Sequence, residues 1–76
     1  MIRSELKARL VTEGFEPSSY SIDGPLPQFE GLVLEHTGKQ WTIEHFERGM
    51  RRELARFDRE EEACAHMYGL LLKHFR

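Results

Sequence analysis

The chain has 76 residues, 39% of them hydrophobic and 32% charged. That length makes one domain, residues 1–76, with a small core worth on the order of a few kcal/mol. A net charge of −2 with both signs mixed excludes a disordered chain and a global polyanion binder. The single Cys64 has no partner for an internal disulfide, which fits a reducing cytoplasm. Charges interrupt every apolar run, so no signal peptide and no membrane span is expected.

Residues 2–13 predict a short helix, because Ile2, Leu6 and Leu10 recur at four-residue spacing on one stripe. Gly14 supplies a left-handed stop, with Phe15 placed to fold back on Leu10. Pro17 prevents continuation. Tyr20 and Ile22 alternate within a weak strand at 18–23. Gly24-Pro25-Leu26-Pro27 then reads as a rigid loop, since two prolines remove two backbone donors.

Residues 31–37 form the next predicted strand. Gly38-Lys39 is a two-residue hairpin turn, with Gly where a positive φ is needed. Its register pairs Leu34 with Ile43, His36 with Trp41 and Leu32 with His45 on an apolar, aromatic face. Glu35 opposite Thr42 and Val33 opposite Glu44 make the other face. Trp41 is assigned to the core.

Residues 46–57 carry two readings. Phe46, Met50, Leu54 and Phe57 have helical spacing among good helix formers. A turn at Arg48-Gly49 instead makes a strand, pairing Ile43 with Leu54 and setting Glu44 opposite Glu53. Asp58 is the expected cap of a final helix, with Glu61 completing a capping-box pattern. Ala63, Met67, Leu70, Leu71, His74 and Phe75 form its apolar face, with Cys64 at the edge. Glu60, Glu61 and Glu62 suit its N-terminal end, and Lys73 and Arg76 suit its C-terminal end.

No motif marks an active site. His36, His45, His66 and His74 match no zinc spacing. Glu35 and Glu44 are brought near each other, but general acid–base work also needs a pocket. No serine sits in a nucleophile motif, and no glycine pattern cradles phosphate. Charge, by contrast, is segregated along the chain. Glu13, Glu16, Asp23, Glu30, Glu35, Glu44 and Glu47 stand against Lys39 alone. Arg48, Arg51, Arg52, Arg56 and Arg59 then stand against Glu53 and Asp58. The acidic hairpin suits a basic protein surface, and the arginines suit phosphates. No exposed aromatic platform accompanies the arginines, which disfavours single-stranded nucleic acid.

Four runs carry a resemblance: Tyr20-Ser-Ile-Asp-Gly24; Gly31-Leu-Val-Leu-Glu35; Trp41-Thr-Ile-Glu-His-Phe-Glu-Arg-Gly49; and Phe57-Asp-Arg-Glu-Glu-Glu-Ala-Cys64. In this order the chain resembles small bacterial immunity proteins that accompany polymorphic toxins. The toxins in question have a tuberculosis-necrotizing-toxin-like, NAD-degrading domain. The match departs after Gly49, where Met50-Arg51-Arg52 is more helical than the pattern. The resemblance implies that Glu47-Arg48-Gly49 is a turn and that residues 52–57 form a strand. The expected fold is therefore α+β: an N-terminal helix, an antiparallel three- to four-stranded β-meander, and a C-terminal helix packed on the sheet.

The function the resemblance implies is that of an antitoxin in interbacterial competition. Such a protein is not an enzyme and needs no cofactor or metal. In the cytoplasm it would bind a cognate toxin, a secretion-system effector, and occlude its NAD cleft. The resemblance assigns no inhibitory residue. The charge pattern nominates Asp23, Glu30, Glu35, Glu44 and Glu47 as partner contacts, with Arg48 at the turn. The alternative is a small nucleic-acid-binding or adaptor module that uses Arg48, Arg51, Arg52 and Arg56.

Overall fold

A computed structural model describes residues 1–24 and 30–74. Helix α1 spans Arg3–Thr12, and a short 3₁₀ turn at Pro17–Ser19 leads into β1, Tyr20–Ser21. Strands β2 (Gly31–Thr37), β3 (Gln40–Glu47) and β4 (Met50–Phe57) follow, and α2 (Glu60–His74) closes the chain. The rigid loop expected at Gly24–Pro27 lies, from Pro25 onward, outside the described residues, as do Phe75 and Arg76.

Helix α1 stops as its sequence requires. Gly14 adopts φ 79°. Its N–H donates to Val11 O, and the Phe15 N–H donates to Leu10 O at 3.0 Å. This pair of bonds is a Schellman stop, and Leu10 and Phe15 both join the core behind it. At the other end, Glu5 Oε1 accepts from the Ile2 N–H at 2.9 Å. Ile2 itself has no side-chain acceptor and is exposed, so only half of a capping box forms.

The sheet runs β1-β2-β3-β4. The β2–β3 hairpin has the expected register, with Leu34 opposite Ile43, His36 opposite Trp41 and Leu32 opposite His45. Gly38 alone has positive φ in its turn, 64°, which makes it type II′. Residues 50–57 form a strand and not a helix, so the hairpin reading of 46–57 holds. Arg48 and Gly49 both have positive φ, 52° and 78°, which makes that turn type I′.

Two details differ from the expected meander. First, β1 pairs in parallel with β2, Tyr20 beside Leu32 and Ser21 beside Val33, so the sheet is mixed. Residues 22–30 separate the two strands, and a parallel pair cannot be joined by a two-residue turn. Second, β4 carries a bulge. Glu44 faces Glu53 as expected, but Ile43 faces Ala55, which leaves Leu54 as the extra residue. Leu54 turns to the helix side, where it lines a recess with Leu32 and His45. The bulge lets two apolar residues oppose Ile43 and keeps Arg56 on the other face.

One core unites the layers. Leu6 and Leu10 from α1 meet Leu32, Leu34, Trp41 and Ile43 from the sheet. Ala63, Cys64, Met67 and Leu71 complete it from α2. Cys64 is fully buried rather than at the helix edge. Asp58 does not cap α2, because its Oδ1 accepts from Gln40 Nε2 at 3.1 Å. The first turn closes instead through Ala63 N–H to Arg59 O, one residue later than expected. Among the described residues no helix is long and apolar enough to cross a membrane.

Candidate functional site

Strand alternation divides the sheet into two chemically different faces. Leu32, Leu34, Trp41 and Ile43 point at the helices. Their neighbours Val33, Glu35, Thr42, Glu44, Glu53 and Arg56 alternate onto the opposite face, where Val33, Thr42 and Glu44 are buried and Glu53 and Arg56 are exposed. His36 sits at the border. Its ring stacks on Trp41 with centroids 3.9 Å apart and planes within 1°. Arg3 lies over the same indole at 5.0 Å, while its backbone N–H donates to Glu60 Oε2 at 2.8 Å. These contacts fasten α1 to the sheet and to α2, and Trp41 is buried beneath them.

The open face is built from matched charges. Glu44 is 6% exposed, and Arg51 Nε stands 3.2 Å from its Oε2. Arg56 bridges two partners, Glu53 Oε1 at 2.7 Å and Gln40 Oε1 at 2.7 Å. The Glu53 pair raises the Arg56 guanidinium further above its usual value, chiefly through that hydrogen bond. Glu44 is raised too. Burial is the leading cause, Arg51 opposes it, and the hydrogen bond and charge of Glu35 add to it. Thr42, between them, reaches the Glu35 carbonyl at 3.4 Å, a long contact. The recess these side chains enclose holds about 190 Å³, below the ~300 Å³ at which small-molecule sites begin.

The six nominated contacts fall into three places. Glu35 and Glu44 share the open face, with Glu44 buried. Glu30, Glu47 and Arg48 gather at the β3–β4 tip, where the Arg48 N–H approaches Glu30 Oε1 at 3.4 Å. Asp23 stands apart from both. It follows β1 and pairs with Arg3 of α1 at 3.8 Å. Next to the tip, Met50 is 76% exposed. It borders a shallow recess with His45, Glu47, Arg48, Arg51 and Arg52.

The segregated charge of the sequence is therefore interleaved in space. Arg51 and Arg56 do not form a separate basic patch, because Glu44 and Glu53 hold them. Glu53, Arg51 and Arg56 belong to the acidic surface, although charge summed along the chain set them in the opposite group. The hairpin register contained that signal, since Glu44 opposite Glu53 brings Arg51 and Arg56 onto the same face. Among the described residues no three His, Cys, Asp or Glu side chains converge to hold a metal ion.

No protein-family model, curated protein or solved structure matches this chain.

Proposed function

We propose that the chain is a protein-binding domain that works through the open sheet face and the adjoining β3–β4 tip. The observation that carries this reading is the ion-paired set Glu44–Arg51 and Glu53–Arg56 on the sheet face opposite the helical core, with Glu35 beside it. Charged side chains already held in place lose little freedom on docking, and a matched pattern gives specificity and on-rate. The family resemblance names the partner: an NAD-degrading toxin domain, with this chain as its immunity protein. On that reading Glu30, Glu35 and Glu47, with Arg48 at the turn, press against a basic cleft that normally receives the phosphates of NAD, and Glu44, buried and held by Arg51, fixes the surface from beneath. Asp23, tied to α1, lies at the margin of such an interface.

Nucleic-acid binding is the competing reading, and Arg48 and Arg52 at the tip favour it. Two of its four arginines, Arg51 and Arg56, are engaged by carboxylates that would repel a phosphate backbone.

Charge reversal separates the two. Glu30 and Glu47 are exposed, so E30K with E47K leaves the core untouched. That pair of changes should weaken the toxin complex by about tenfold or more, roughly 1.4 kcal/mol, and R52E should leave it intact. A chain that binds nucleic acid, loses it with R52E and forms no protein complex would overturn the proposal.

A further inference from the structure

Glu35 and Glu44 occupy adjacent strands on the open face. Glu35 is registered with Thr42 and Glu44 with Val33, which makes the two carboxyls diagonal neighbours within reach of each other. The Glu44 side chain is only 8% exposed. Oε2 of Glu35 is shut off from solvent and meets no donor. Two ionised carboxylates only accept hydrogen bonds, so a bond between this pair requires a proton on one of them. Such a proton would satisfy the buried Glu35 oxygen, which otherwise bears the penalty of an unpaired polar atom.

The surrounding charges point the same way. From β4, Arg51 and Arg56 present two guanidinium groups, and Glu53 presents a third carboxyl beside Glu35 and Glu44. Thr42 and Gln40 of β3 and Thr37 of β2 are neutral. Three carboxyls facing two guanidiniums are balanced when one proton is retained.

We propose that Glu35 and Glu44 share a single proton and form a pH-sensitive charge switch on the face of the sheet opposite the helices. Below its transition the patch is neutral and the two strands are bridged side chain to side chain. Above it, the patch gains a negative charge, and two carboxylates repel each other across a contact that Arg51 alone can neutralise. The direction of the Glu44 shift, upward through burial and through Glu35, agrees. The inference concerns the free protein and does not depend on which partner it binds.

The test is a ¹³C NMR titration of the glutamate side-chain carboxyl carbons in the intact chain, with E44Q, E35Q and the exposed control E47Q. In the unmodified protein, at least one of the Glu35 and Glu44 carbons should titrate above the ordinary value of 4.5, and the two should move together. E35Q should lower the Glu44 transition, whereas E47Q should leave it unchanged. If both carbons titrate at or below 4.5 in the unmodified chain, the proposal is overturned. If the raised Glu44 transition is unchanged in E35Q, the proton is not shared between them. The unmodified-chain arm needs no variant to fold.

Discussion

Arg51 reaches back across the β3–β4 hairpin to set its guanidinium 3.2 Å from the buried carboxyl of Glu44. The two residues are not cross-strand partners. Arg51 is registered with Phe46, and Glu44 with Glu53. The contact is a diagonal one, and it answers a like-charge pairing that the tight turn imposes. Glu44 and Glu53 directly opposite each other would destabilise the hairpin, and Arg51 and Arg56 each neutralise one of them.

Removing that cation should expose the cost of the arrangement. R51A leaves Glu44 buried beside Glu35 and Glu53 with no positive neighbour at that oxygen. The expected loss is about 1–3 kcal/mol, the penalty of an unsatisfied buried polar group. In an E44Q background the same substitution should cost less than about 1 kcal/mol, because the charge it served is gone. Urea denaturation followed by the single tryptophan measures both. Equal losses in the two backgrounds would mean that Arg51 acts through packing alone.

The pH dependence of stability has a definite sign. The Glu44 carboxyl is raised in the folded chain, first by burial, so folding favours its protonated form. Its contribution is fully present below the ordinary value of 4.5 and is lost as pH rises through the raised folded value. E44Q, a permanent stand-in for the protonated carboxyl, should be more stable than the unmodified chain at neutral pH and lose that advantage in acid. Melting curves across this range check it, and an E44Q advantage that grows on acidification would contradict it.

The β3–β4 turn separates folding from contact. Arg48 holds φ 52°, a left-handed conformation that suits Asn better than Arg. R48N should raise stability by up to about 1 kcal/mol, while removing the charge nominated for the partner. Gly49→Ala, at φ 78°, should lower stability by about 1–2 kcal/mol. Chemical denaturation of both variants tests the turn, since a different turn type would reverse the order.

Cys64 offers an internal clock. It is fully buried in the core, and burial raises its thiol above the usual value. A thiol reagent should modify it roughly a hundredfold or more slowly than in denaturant, because opening is rare at a few kcal/mol of stability. Comparable rates in the two conditions would mean that α2 does not seal the thiol.

Most of the fold was legible because local rules agreed with one another. Gly14 and Phe15 specified a helix stop, and Gly38 specified a turn whose register put Leu34 against Ile43 and Trp41 beside His36. For residues 46–57, local spacing allowed helix or strand, and pairing with β3 decides for the strand. The weak strand expected at 18–23 is present, shortened to Tyr20–Ser21 behind the turn at Pro17–Ser19, and its parallel direction was not legible because side-chain alternation does not record which way a strand runs. The bulge at Leu54 was hidden because strict alternation counts every residue as paired and does not record an extra one. Asp58 had the chemistry of a cap, but Gln40 of the neighbouring strand claims its carboxylate. The candidate site was legible residue by residue and not as a surface, since charge summed along the chain cannot show that Arg51 lies against Glu44.

On the proposed function, this surface binds and silences a toxin. This is tested most directly by co-purifying the chain with the product of the adjacent upstream gene, then following NAD consumption with and without it. A stable complex in which NAD loss stops, and resumes when E30K with E47K weakens the complex, is the expected result. No complex, or NAD loss that continues unchanged within a stable complex, would contradict the account.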